Sequence, residues 1–413
     1  MIYRKKLINI YFLTVLSLIP LSILIGSLIS LSIIILITLS FFFILFKKDN
    51  FLLLKNNSIL LLSCLYIYLL FNSMISLDFY LGAERNFGFI RFIFLFIAIN
   101  YFFFNYKNID IIFKIWTLVF IIVLFDVSYE FLVGNNLLGF ESVNKKRIVS
   151  FFKDELIVGS FITGFAFIII GYLFKNFEKI ERYKQTLIYL LMIFIVICLI
   201  LSGERSNTIR LIIGFIIFLC LNGKIRAKAK LLFFSIISIF FLTLFFSSGY
   251  VKHRYYNDLI EKISDKEIRQ DYIYFKLYKS GIEVFKKYPI FGVGNKNYRI
   301  ETCKKSERAI NPYICNTHPH QVYVELLSEH GLVGTVLIIS IIFFLIMKNF
   351  KTMLATRNLL QIGCFSYLVV SLIPVLPSGA FFSDFNSTIF WINFSIYFAS
   401  NLKTNIFNND RLT

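Results

Sequence analysis

The sequence predicts an all-α polytopic membrane protein, and three observations carry that reading. Of 413 residues, 58% are hydrophobic, and mean hydropathy is +0.74, far above a soluble domain. Many apolar runs reach or approach the roughly 20 residues that a helix needs to cross a bilayer. Those runs are continuous, whereas a transmembrane β-barrel would alternate over segments of about 10 residues. In lipid a spanning segment must satisfy its own backbone groups, which a helix does and an open sheet does not.

Taken in order, spans are expected near 8–25, 27–46, 57–75, 88–105, 110–132, 155–174, 186–202, 207–222, 231–249, 331–348, 358–377 and 387–402, about twelve transmembrane helices. The first run follows Arg4, Lys5 and Lys6 but no small-residue cleavage site follows it. It reads as a retained span rather than a signal peptide. The chain divides into an N-terminal membrane bundle (1–249), one large loop (250–330) and C-terminal membrane helices with a short tail (331–413). Lys and Arg crowd alternate loops: Lys47, Lys48 and Lys55; Lys107; Lys175 to Lys184; Lys224 to Lys230; Lys348 to Arg357; Lys403 and Arg411. The positive-inside rule puts that set and both termini in the cytoplasm and the large loop outside. The same bias accounts for the net charge of +19. No nucleic-acid motif accompanies it, so membrane lipids and not nucleic acid are the expected contacts. Six cations break the bias and fall outside: Arg85, Lys145, Lys146, Arg147, Lys153 and Arg205.

Within the loop, Glu267 to Lys287 reads as a helix with Ile268, Tyr272, Phe275, Ile282 and Phe285 roughly on one stripe, stopped by Pro289. Phe291 to Asn295 is a turn. Its Gly292 and Gly294 lack the third glycine and the βαβ setting of a nucleotide loop, so they are read as bringing the backbone close to a helix or a ligand. A second helix is expected from Pro319, which would seat His320 among unsatisfied N–H groups. Cys64, Cys198, Cys220 and Cys364 fall in spans. Cys303 and Cys315 share the external loop, where an even pair points to a disulfide. Zinc held by Cys303, Cys315, His318 and His320 is the alternative, but the spacing matches no common site and no metal is expected.

Four polar spots stand out against the lipid-like background. Arg147 precedes a span, and its guanidinium can grip phosphate oxygens bidentately; snorkelling to headgroups is the plain alternative. Arg205 sits in the tight turn Ser202 to Asn207, and Arg210, one turn further in, would stack on Arg205 or pair with Glu204. Charges so near hydrocarbon are costly and tend to be functional. His318 and His320 flank Pro319 and are two of only four histidines. An external histidine is often merely solvated, but two before a membrane helix favour a role.

These residues also carry a resemblance. His320-Gln321, nine residues, then Gly331-x-x-Gly334 fits the His-(Asn/Ser/Gln)-x9-Gly-x-x-Gly pattern of the bacterial O-antigen ligase family. That superfamily includes O-antigen polymerases and O-linked oligosaccharyltransferases. Arg147 with Phe151-Phe152 resembles the family's external arginine before a mid-chain span. Gly203-Glu204-Arg205-Ser206 resembles its arginine-bearing hairpin, and Pro289 to Gly294 the start of the second half of its periplasmic loop. The family's loop helix usually carries one more arginine, about seven residues before a small residue, here Gly281; this chain has Tyr274 there, with Arg269 as the nearest substitute.

The resemblance implies a membrane glycosyltransferase of C-type architecture in the bacterial inner membrane, working at the periplasmic face without metal, nucleotide or other cofactor. It would move a glycan from undecaprenyl pyrophosphate to a sugar of lipid A–core. His320 would be the general base, Arg147 and Arg205 a clamp on the pyrophosphate, and inversion at the anomeric centre the outcome. Arg269, Arg210, His318, Gln321, Gly292 and Gly294 would bind substrate. A polymerase, with a second lipid-linked glycan as acceptor, shares the chemistry. A polysaccharide transporter would instead show midplane charges and repeated halves; few interior charges (Lys114, Asp126 and Arg91) and no repeat are present.

Overall fold

A computed structural model describes residues 2–45, 56–106, 108–141, 147–153, 155–175, 177–264 and 272–408. Among them every regular element is a helix. The N-terminal bundle comprises α1 (Ile2–Ser17), α2 (Ile19–Ile25), α3 (Ser27–Leu45), α4 (Asn57–Met74), α5 (Phe79–Gly88), α6 (Ile90–Asn105), α7 (Asp110–Val133), α8 (Val158–Phe174), α9 (Arg182–Ser202), α10 (Arg205–Leu221) and α11 (Ala227–Ser247). A turn at Gly249–Lys252 and a π-helix at His253–Glu261 lead into α12 (Ile273–Lys287), α13 (Tyr298–Cys303) and α14 (Lys305–Ile310). The chain returns through α15 (Val322–Thr356), α16 (Leu359–Ser371) and α17 (Asp384–Ala399).

By length and composition, six helices among the described residues qualify as membrane spans, or up to seven if the bent pair α1–α2 counts as one. The chain is therefore a multi-pass membrane protein. The expected dozen is larger because several predicted spans fall on shorter helices, such as α8 with 17 residues and α16 with 13. A hydropathy window sees apolar residues; it does not see that α8 and α16 are short and packed against each other. These two and α17 form the centre of the bundle, filled by aromatic contacts such as Phe96–Phe398 at 5.1 Å and Phe161–Phe165 at 4.7 Å.

Two predicted helix starts move. The described part of the loop helix begins at Ile273, with Tyr272 as its extended N-cap residue; residues 265–271 lie outside the described part, and Arg269 with them. The helix expected from Pro319 begins instead at Val322. His320 has φ of 57°, a left-handed conformation that cannot open a helix. The Gln321 side chain provides the cap, accepting a hydrogen bond from Val324 N at 2.7 Å.

The feature that fixes this end of the molecule is a break in α15. Gly331 has φ 62° and ψ −169°, a region essentially reserved for glycine. In an unbroken helix Leu332 N and Val333 N would bond to the carbonyls of Ser328 and Glu329. Here Leu332 N bonds to Pro289 O at 2.8 Å and Val333 N to Ile290 O at 3.1 Å. The freed carbonyls of Ser328 and Glu329 accept Val293 N at 3.0 Å and Gly294 N at 2.9 Å. The Pro289–Gly294 turn thus replaces two helical bonds with four. It fits only because both partners lack side chains: a Cβ on Gly331 would lie 2.3 Å from Ile290 O, and one on Gly292 would lie 2.4 Å from the Glu329 carbonyl carbon.

Gly331→Ala is therefore expected to lose more than the roughly 1–3 kcal/mol of backbone strain alone, because the break cannot close around a methyl group. Gly134→Ala, also at positive φ but with nothing within 4 Å, serves as the strain-only control. Thermal unfolding of both variants in detergent checks this; equal losses would mean the clamp is unimportant.

Candidate active site

Three segments distant in sequence meet at one end of the bundle. The first is the strap 147–153. Its backbone is pinned by two acids of α7: Glu130 Oε1 accepts Val149 N at 3.1 Å and Oε2 accepts Ser150 N at 2.6 Å, while Asp126 Oδ2 accepts Ser150 Oγ at 2.5 Å. Ile148 N donates to Ser202 O at 3.2 Å, tying the strap to the α9–α10 turn. Arg147 leads this strap. Its guanidinium adjoins the Tyr274 hydroxyl and lies in the field of Glu204. Burial acts against its charge, and Tyr274 and Glu204 more than offset this, so its pKa moves up.

The second segment is that turn. Gly203 at φ 72° reverses the chain, and Arg205 is the first residue of α10. Its guanidinium donates to backbone carbonyls of the π-helix, Asp258 O at 2.5 Å and Arg254 O at 3.4 Å, and to the Tyr272 hydroxyl at 3.4 Å. Arg254 closes the turn from the other side, donating to Gly203 O at 2.8 Å. Glu204 is buried and points inward: Oε1 accepts Gly159 N at 3.1 Å, and Oε2 accepts Asn207 Nδ2 at 2.6 Å. Burial raises its pKa, while Gly159, Arg147 and Asn207 pull the other way.

The third segment carries the histidines. His318 and His320 have ring centroids 4.0 Å apart, and Thr317 Oγ1 lies 2.9 Å from His318 Nδ1. The His320 carbonyl accepts Ser378 N at 2.9 Å, which holds the strained residue against the α16–α17 loop. Burial lowers the pKa of His320, and Arg147 lowers it further, against an opposing backbone interaction with Ser378. For His318, burial first and then His320 bring the value to about 3. Both rings are neutral at neutral pH.

Tyr274 stands between the three segments. Its ring meets His320 edge-on, 5.9 Å between centroids at 79°, its hydroxyl adjoins Arg147, and its ring lies 5.5 Å from Tyr272, the partner of Arg205. The sequence marked Tyr274 only as the place where an arginine was missing, and that was the available signal. Ser378 gave none.

Other expected residues fall elsewhere. Arg210 neither stacks on Arg205 nor pairs with Glu204; it donates to Leu376 O at 3.3 Å. Gly292 and Gly294 meet other protein segments: Gly292 the break in α15, and Gly294 both the Glu329 carbonyl and the side chain of Ser76, 2.1 Å from its would-be Cβ. Gln321 is a helix cap. Cys303 and Cys315 form a disulfide with Cα atoms 4.4 Å apart, so neither is a free thiolate for a metal.

The O-antigen ligase family model matches residues 190–339. That stretch is similar to the O-antigen ligase family. No curated protein matches the chain. The matched stretch includes Arg205, Arg210, Tyr274, His318, His320 and the α15 break; Arg147 precedes it. The family is one of glycosyltransferase-like ligases and polymerases, with lipid-linked glycans as substrates.

In a histidine-observed NMR titration of the protein in nanodiscs, His320 is expected to titrate below the ordinary value of about 6.5. Arg147→Gln removes a nearby cation that disfavours imidazolium, so the His320 value should rise. A His320 value unaffected by this substitution would show that the two groups do not share a site.

Proposed function

We propose that this protein is an O-antigen ligase-like enzyme that transfers a glycan from undecaprenyl pyrophosphate to a sugar of lipid A–core at the periplasmic face of the bacterial inner membrane. The observation that carries this reading is that Tyr274, His320 and Arg205 of the stretch similar to O-antigen ligases meet Arg147 from outside it, Arg205 through Tyr272. The reading includes about twelve spans, cytoplasmic termini and residues 250–330 as the periplasmic loop.

The chemistry follows from the charges. An acceptor hydroxyl oxygen attacks the anomeric carbon, and the bond from that carbon to the pyrophosphate oxygen breaks. The hydroxyl proton passes to neutral His320, whose lowered pKa keeps it free to accept one. The electron pair leaves with the pyrophosphate, and its charge grows as the bond lengthens. Among the described residues Arg147 and Arg205 meet phenols and carbonyls rather than a bound carboxylate, which leaves them free to stabilise that growing charge. Direct attack inverts the anomeric centre. His318 keeps His320 in place by ring contact. Arg269 remains a proposed substrate contact outside the described residues.

Reconstitution with a defined undecaprenyl-pyrophosphate glycan and two rival acceptors tests the reading. His320→Ala is expected to lower transfer by about 10²–10⁴-fold, and Arg147→Ala or Arg205→Ala by about 10²–10³-fold. Transfer to lipid A–core, and not to a second lipid-linked glycan, is the expected result. The reverse preference would make the protein a polymerase, and undiminished transfer by His320→Ala would remove the base.

A further inference from the structure

Arg210 poses a problem that the transfer mechanism does not solve. Its residue is only 7% exposed, and its guanidinium cannot shed its proton. Among the described residues it has one hydrogen bond, to the Leu376 carbonyl at 3.3 Å, and its Nε has no partner. Glu204, the carboxylate whose field reaches it, already has both oxygens bound to Gly159 N and Asn207 Nδ2. A buried cation without a counter-charge is costly.

Arg210 lines a cavity of about 60 Å³ between α8, α10, α16, α17, the start of α15 and the α16–α17 loop, together with Ser160, Thr163, Asn207, Tyr367 and Ser378. Two of these also present unpartnered buried oxygens, Thr163 Oγ1 and Ser378 Oγ. Among the described residues no Asp or Glu lines it. Three unmet polar groups in one space, one of them a fixed cation, define a complement: a small group rich in acceptors and negatively charged. Water would meet the hydroxyls but leave the charge unbalanced. The space exceeds what a single water needs, and a tetrahedral oxyanion would offer acceptor oxygens to all three groups.

We propose that this cavity is a phosphate-binding pocket, separate from the Arg147–Arg205 pair, in which Arg210, Thr163 and Ser378 hold one phosphoryl group. Ser378 links it to the catalytic end, because its backbone N–H holds the His320 carbonyl. The phosphate has two possible sources, a free inorganic ion or the head of a polyprenyl phosphate lipid. Only the second rests on the transfer reaction proposed above.

The test uses full-length protein in phosphate-free maltoside detergent, titrated by calorimetry with inorganic phosphate and, separately, with undecaprenyl phosphate. Wild type should bind, and Arg210→Gln should bind at least about tenfold more weakly. Thr163→Val combined with Ser378→Ala keeps the cation and should also weaken binding, which guards against misfolding of the arginine variant. Arg205→Gln should still bind inorganic phosphate. Saturation by inorganic phosphate alone identifies a free-ion site, and tighter binding of the lipid a substrate site. Equal affinity in wild type and Arg210→Gln, or a wild type that binds neither probe, overturns the proposal. Glycan transfer lost with phosphate binding intact would leave the pocket standing, and the converse would leave the transfer reaction standing.

Discussion

A guanidinium taken out of water keeps its charge, and everything at the polar end of this molecule is arranged around that fact. Arg147, Arg205 and Arg210 are three such groups, and none is ion-paired with a carboxylate among the described residues. Arg205 rests on carbonyls and a phenol, and Arg147 adjoins a phenol with Glu204 at a distance. Neutral oxygens hold such groups in position without cancelling their charge. Four carboxylates here bind backbone amides: Glu130 on the strap, Glu204 on α8, Glu325 on Phe381 N and Glu329 on Lys296 N and Tyr298 N. Asp258 instead pairs with Arg254, at 2.7 Å.

That arrangement depends on a rigid frame for His320. The break in α15 provides it. Once Ser328 and Glu329 give their carbonyls to the Pro289–Gly294 turn, α12 and α15 are joined through that turn, and Gly281 lets α12 approach closely, with its Cβ position 2.3 Å from a Val324 methyl and 3.0 Å from Pro319 Cβ. Tyr274, seven residues before Gly281 on the same helix, is thereby carried to His320. The glycines of the two motifs are consequently one structural device. The sequence reading left Gly292 and Gly294 against a helix or a ligand, because a glycine turn says only that a backbone comes close to something; here it is the broken helix α15.

Much of the site was nonetheless legible. Arg205 and His320 were visible as polar residues that lipid would reject, and a retained charge in such a setting needs a reason. Arg147 was visible because it broke the charge asymmetry of the loops. Tyr274 was noticed only as an absence, since a tyrosine near a helix start has ordinary packing explanations. The opening of α15 was misplaced by three residues because proline permits a helix start without requiring one, and the left-handed φ of His320 leaves no trace in the letters. The count of about twelve spans rests on hydropathy, which reports what a segment can dissolve in and not how long its helix is; six or seven helices among the described residues also have the length.

By itself, the sequence determined the helical membrane class, the O-antigen ligase likeness and which polar side chains stand out against the apolar background, because these follow from composition, periodicity and local spacing. Tertiary structure alone decided which of them meet. Residues 147, 205, 274 and 320 are brought together by hydrogen bonds between segments that share no local pattern, and a one-dimensional string carries no term for them. The fate of Arg210 is the clearest case: three residues from Asn207 and five from Arg205, it meets neither the arginine nor the acid expected for it and lines a cavity whose walls come from five helices and a loop.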